Sequence, residues 1–213
     1  MSSHPHHPTP HPLRIGELEL IIQTPPNFDA LLDAAAQQTP NDVDKIPYYA
    51  TLWPSASTLA TVLWEIRTTL PGLRVLELGC GLGLPAIVAA KLGADVTATD
   101  FHPDTGNWCL ANAAANNVNL QFHLCDWNSP PPLPAFDLII GSDLIYERRH
   151  IPALVQCIDQ LATPHGKALI ADPGRDGLAQ FTSTMQTAGW PCELLPRSEI
   201  YVLAHNKIRS HAF

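Results

Sequence analysis

The chain has 213 residues, enough for one α/β domain with a buried core and a short extension. Hydrophobic residues make up 46% and charged residues 15%, the balance of a globular protein; no apolar run reaches membrane-spanning length, and the first residues lack the apolar stretch of a secretion signal. A formal charge of −8 argues against nucleic acid as a partner, because phosphate backbones need a basic stripe, and suits a basic or neutral substrate better.

Residues 1–12 are dominated by proline and histidine and read as a disordered tail. His4, His6, His7 and His11 are read as solvated, so no metal site is expected. Residues 13–70 form an N-terminal extension that caps the site, and 71–213 form the core. Within the extension, imperfect alternation over 14–23 predicts one peripheral strand. Residues 28–38 read as a helix, and 52–70 as another with Pro54 in its first turn. From residue 73 strands and helices alternate. Strands are expected at 73–79, 95–100, 119–124, 136–142 and 166–171, with helices at 84–92, 103–116, 149–162 and 176–188. That alternation predicts a doubly wound, Rossmann-like α/β sheet, mostly parallel. Two last strands, 191–195 and 200–206, lie too close together for a crossover. They must pair as an antiparallel hairpin, which brings the sheet to seven strands. The five cysteines are widely spaced and odd in number, with no C-x-x-C pair, and read as free thiols in a reducing cytoplasm.

The run Val75-Leu76-Glu77-Leu78-Gly79-Cys80-Gly81-Leu82-Gly83 carries the most information. A buried strand runs into three alternate glycines and then a helix, the arrangement of a nucleotide-cofactor site. Glycine permits the tight turn and lets backbone amides approach a ligand. Dinucleotide enzymes want G-x-G-x-x-G, but Leu84 stands where their third glycine would be. Glu77 suits a cationic amino-acid end better than a pyrophosphate. Asp100 ends the second strand, where an acid can bond both hydroxyls of a ribose. Either cofactor uses such an acid; the glycine spacing and Glu77 favour S-adenosylmethionine (AdoMet). Here the chain resembles the seven-strand, class I AdoMet-dependent methyltransferases. A Rossmann-like fold with an empty site is the competing reading.

Ligands of open α/β sheets bind beyond the carboxyl ends of the strands. Those ends supply Glu77, Gly79, Gly81 and Gly83, then Asp100 and Phe101, then Asp126 and Trp127. Asp126 can accept from an adenine amino group while the indole of Trp127 covers the ring. Ser142 closes the next strand on the cofactor side, and Asp143 and Tyr146 are expected to face the transferred methyl group as the catalytic pair. Trp53 is expected to fold over the cofactor. Tyr48, Glu147, Asp172 and Arg175 are expected at the substrate.

The Trp53-Pro54 pair, the GCGLGLP run at 79–85, Asp126-Trp127 and the S-D-L-I-Y run at 142–146 resemble the lysine-directed, seven-strand protein methyltransferases. Tyr49-Ala50 and the D-P-G-R run at 172–175 are most similar to the electron transfer flavoprotein β-subunit lysine methyltransferases, over about residues 47–206. The resemblance implies AdoMet as cofactor, S-adenosylhomocysteine as product, and a lysine ε-amine of a protein, the flavoprotein β-subunit first, as acceptor. The scaffold also carries arginine-directed and small-molecule N- or O-methyltransferases, and a non-catalytic AdoMet-binding interaction module is the reading from another class. No membrane partner is expected, and the oligomeric state is not readable from the sequence.

Overall fold

The computed structural model describes residues 8–38, 45–197 and 200–206. Strands β1 (Thr9–Ile15) and β2 (Leu18–Thr24) come first, then helices α1 (Phe28–Gln38) and α2 (Pro54–Glu65). The core follows as β3 (Arg74–Leu78), α3 (Leu84–Lys91), β4 (Asp95–Asp100), α4 (Thr105–Ala115), β5 (Gln121–Leu124) and β6 (Phe136–Ser142). It continues through α5 (Ile151–Leu161), β7 (Ala162–Asp172), α6 (Leu178–Thr187), β8 (Cys192–Arg197) and β9 (Ile200–Asn206). Among the described residues no helix is long and apolar enough to cross a membrane.

The seven-stranded sheet has the order β5-β4-β3-β6-β7-β9-β8. Its first five strands are parallel, and β9 runs antiparallel to both β7 and β8. The fold is the doubly wound α/β sheet expected, closed by the expected hairpin. Both faces are covered, so the central strands are largely apolar while successive side chains alternate between two layers. Val75, Leu138, Ile140, Leu169 and Ala171 join the layer of α2, α3 and α4. Leu76, Leu78, Ile139, Ala168 and Ile170 join the layer of α5 and α6. The winding reverses between β3 and β6, and a crevice opens there at the carboxyl ends.

The extension departs from expectation. Residues 14–23 are not one strand: a turn at Gly16-Glu17 divides β1 from β2, and the two form a separate antiparallel sheet. Gly16 has φ +57°, and a Cβ there would run into the Trp64 ring. Residues 9–12, read as disordered tail, lie in β1; Pro10 and Pro12 fit because they sit on an edge strand. His11 in that strand contacts the Thr24 hydroxyl at 3.0 Å, whereas His4, His6 and His7 lie outside the described residues. The helix read over 52–70 ends at Glu65, and a 3-10 turn covers Arg67–Thr69.

The hairpin is fastened to the core by two asparagines one turn apart on α4. Asn112 accepts from the Gln23 N–H (2.8 Å) and donates to the carbonyls of Gln23 and Leu82 (3.1 Å each). Asn116 accepts from the Ile21 N–H (3.0 Å) and donates to the Ile21 carbonyl (2.8 Å). The two amides thus satisfy an edge of β2 as a neighbouring strand would.

Candidate active site

All three glycines between β3 and α3 have left-handed backbones, at φ +59°, +50° and +82° for Gly79, Gly81 and Gly83. Gly83 N–H donates to the Cys80 carbonyl at 2.8 Å and closes the turn. The glycines serve different needs. A Cβ on Gly79 would come within 2.5 Å of Leu144, and one on Gly83 within 2.7 Å of the Cys109 sulfur, so packing behind the loop forbids bulk at both. A Cβ on Gly81 would meet only the Tyr49 backbone, at 3.6 Å.

Asp100 fastens this loop to the end of β4. One carboxylate oxygen accepts from Gly81 N–H (3.0 Å) and the other from His102 N–H (3.0 Å). Each oxygen keeps a second lone pair. Burial raises the carboxyl above its ordinary pKa, and the two backbone donors pull it back.

Glu77 does not stand where expected. It is 1% exposed, lies beneath the loop rather than on the cleft wall, and accepts from Ala86 N–H at 2.9 Å. It therefore satisfies a free amide in the first turn of α3 and favours the helix dipole. Alternation explains the error: Glu77 shares the strand face of Val75, which packs against α3. Burial holds its carboxyl well above the ordinary value.

The cleft encloses about 380 Å³. Gly79, Gly81, Gly83, Asp100, Phe101, Asp126, Trp127 and Ser142 line it. Asp126 accepts from both the backbone and the side-chain N–H of Asn128, each at 2.9 Å, in a tight turn. The cleft also holds an arc of rings. Tyr48 lies 6.1 Å from Trp53 and 5.6 Å from Tyr146; His150 lies 6.4 Å from Tyr146 and 6.3 Å from Trp127. Trp53 Nε1 donates to the Tyr48 carbonyl at 2.9 Å, which fixes their mutual position.

Asp143 and Arg175 also line the cleft. Asp143 is one of two non-glycine residues with positive φ (+60°) among the described residues. Its Oδ1 accepts from Arg175 at 2.8 Å. Arg175 donates in turn to Asp172 at 2.9 Å.

Two substrate candidates are not brought to the cleft. Asp172 is fully buried behind Arg175 and accepts from the N–H groups of Gly174 and Arg175, both at 2.8 Å. Glu147 turns to Arg149 at 3.8 Å and is off the wall. An opposite charge close along the chain draws each acid away. Sequence reasoning missed His150 and His102 and left Tyr49 unassigned. His150 follows Tyr146 by four residues, a spacing that offered the signal. Tyr49 packs on His102 at 4.5 Å and donates to Asp104 at 3.5 Å. Burial, with Asp104 beside it, pushes its hydroxyl up to about 12.

A glycine loop, a ribose-type acid and an acid beyond the fourth core strand are thus gathered in one crevice, and a sequence model described as lysine methyltransferase matches residues 38–187. The chain belongs to the lysine methyltransferase family. It is 33% identical over 157 residues to the histone-arginine methyltransferase METTL23 of Rattus norvegicus, covering 70% of this chain and 65% of the relative. It is 35% identical over 130 residues to the protein N-lysine methyltransferase METTL21A of Danio rerio, covering 57% and 59%. The electron transfer flavoprotein beta subunit lysine methyltransferase of Xenopus laevis is 36% identical over 140 residues, covering 64% and 55%. The match therefore spans somewhat under two thirds of these relatives' own length. Among solved structures, the T. thermophilus 16S rRNA N2 G1207 methyltransferase in complex with AdoMet and guanosine superposes with a TM-score of 0.73 at 18% identity, covering 94% of this chain and 51% of that one. Magnesium protoporphyrin IX methyltransferase from Synechocystis PCC 6803 with bound SAH gives 0.59 at 17% identity, covering 77% and 85%. These two show the fold alone.

Proposed function

We propose that the chain is an AdoMet-dependent methyltransferase and that its acceptor is a lysine ε-amine of a protein. The cleft fits this cofactor by its donors and acceptors. The two oxygens of Asp100 each keep one free lone pair, which matches the paired hydroxyls of a ribose. Gly79–Gly83 would carry the amino-acid end on backbone groups. Asp126, Trp127 and Phe101 would hold the adenine, and Ser142 and Trp53 would border the reacting end. Bound AdoMet supplies an electrophilic methyl group on a sulfonium and leaves as S-adenosylhomocysteine.

The chain's own residues have two tasks. They must hold the acceptor nitrogen close and aligned, since positioning accounts for most of such a rate. They must also capture an amine that in water is neutral in only about one molecule in a few thousand at pH 7. Tyr48, Trp53, Tyr146 and His150 give an aromatic wall that can accept a cation on its faces. Asp143 lines the same cleft and, with Asp100 and Asp126 given to the cofactor, is the acid left to orient the amine. This acid at an aromatic mouth, held in a left-handed backbone, is the observation that carries the reading. Strain of that kind clusters at functional sites. The wide spacing and odd number of the cysteines support a cytoplasmic location as part of the same proposal.

The relatives supply a second reading, because METTL23 is named for arginine. Labelled AdoMet incubated with the protein and a cell lysate separates the cases. Label in protein, mapped by mass spectrometry to lysine, supports the proposal. Label on arginine or only on small metabolites defeats it. The electron transfer flavoprotein β-subunit is the first defined substrate to try.

A further inference from the structure

The relatives divide between amine and guanidinium acceptors, and one ion pair in the cleft bears on that choice. Arg175 is shared between two carboxylates. Its Nη1 bonds Asp172 Oδ2 at 2.9 Å, and its Nη2 bonds Asp143 Oδ1 at 2.8 Å. Asp172 is fully buried and pinned by two backbone N–H groups, so the guanidinium is anchored from behind. Asp143 is nine-tenths buried and fixed by its own N–H bond to the Ala171 carbonyl at 2.9 Å. One of its oxygens is taken. The other, Oδ2, is shielded from water and has no hydrogen-bond partner among the described residues.

A buried acceptor without a donor is unfavourable, so Oδ2 awaits one. An alkylammonium is a compact charge with three rotatable donors, so it can bond Oδ2 alone and turn its other N–H groups elsewhere. A guanidinium binds carboxylates best as a fork, with two parallel N–H groups on two oxygens. On Asp143 such a fork has to share Oδ1 with Arg175 and sets two guanidinium groups of like charge side by side. Charge agrees with geometry: two acids and one arginine leave one negative charge, which one incoming monocation neutralises.

The geometry points to Arg175 as the residue that selects an amine over a guanidinium acceptor, by holding one of the two oxygens of Asp143 and setting its own like charge beside it. It acts through Asp143 and is a positioning residue. The inference rests on the methyltransferase reading, but its primary readout is binding rather than turnover.

The protein saturated with S-adenosylhomocysteine is titrated with n-butylammonium and with n-butylguanidinium, and binding is followed by calorimetry or NMR. The wild-type chain is expected to favour the ammonium by about tenfold or more, and Arg175→Met to shift that ratio toward the guanidinium by at least about tenfold. Arg175→Met leaves Asp172 buried without its partner, which endangers folding. The double variant Asp172→Asn/Arg175→Met removes that charge and keeps an acceptor for the turn, and it is expected to show the same shift. Wild-type preference for the guanidinium, failure of both probes to bind, or an unchanged ratio in the double variant overturns the role given to Arg175. An unchanged ratio alongside methylated lysine overturns this role alone. Methylated arginine made by the wild-type chain overturns it together with the lysine reading.

Discussion

Asp143 has a backbone that few side chains tolerate. At φ +60° a β-branched or bulky residue is an outlier, whereas Asp and Asn are several-fold enriched. Asp143→Asn therefore keeps the turn and removes the charge. We expect kcat/KM to fall by about ten- to a thousandfold, the range for a lost electrostatic contact at a reacting centre. AdoMet affinity should hardly change; steady-state assays beside calorimetry check both, and an unchanged kcat/KM counts against the role. Asp100→Ala should do the converse. Losing the acceptor of two ribose hydroxyls should weaken AdoMet and S-adenosylhomocysteine by about 1.5–3 kcal/mol. Calorimetry showing no loss would remove Asp100 from the cofactor site. Glu77 makes a third case. Its folded-state pKa is raised by burial, so the folded chain binds its proton more tightly than the unfolded chain does. Its contribution is thus fully present below the unfolded value, about 4.3, and is lost as pH climbs from there through the raised folded value. Glu77→Gln keeps an acceptor for Ala86 N–H and should flatten that decline in urea titrations. It should leave cofactor affinity intact; a large loss of affinity would return Glu77 to the cleft.

At the scale of elements, α4 couples the hairpin to the glycine loop. The Asn112 side chain bonds both Gln23 in β2 and Leu82 between Gly81 and Gly83. Asn112→Ala should lower unfolding free energy by about 1–3 kcal/mol, because it leaves buried backbone groups unpaired. Hydrogen exchange should show the Gln23 amide losing protection first; retained protection there would mean that β2 holds by packing alone. The core strands were readable because the central ones are largely apolar on both faces and several are punctuated by glycine or an acid. The hairpin was not, since one imperfect alternation runs through its turn and only the Trp64 ring, 48 residues away, shows why Gly16 must bend there. The site was legible just beyond or at the ends of β4, β5 and β6: Asp100, Asp126 and Asp143 all reach the cleft. It was illegible where a neighbour decides direction. Ala86 draws Glu77 inward, Arg175 holds Asp172, and Arg149 turns Glu147 aside.

For the whole molecule, the cleft is a thermodynamic handle. S-adenosylhomocysteine at a hundred times its Kd should stabilise the fold by about 2.7 kcal/mol. In a chain of this size that corresponds to a rise in Tm of roughly 5–11 °C. A thermal melt that does not move with ligand would contradict cofactor binding at this cleft. The cleft also draws its walls from Ile46 through to Arg175. At 5–20 residues per second a ribosome needs roughly 6–26 s to make that stretch. Throughout that interval the Tyr48 and Trp53 wall exists without Asp143 and Arg175 to face it. The cofactor can therefore act on folding only after most of the sheet has been synthesised: it can lock a finished nascent domain, but it cannot template an early one.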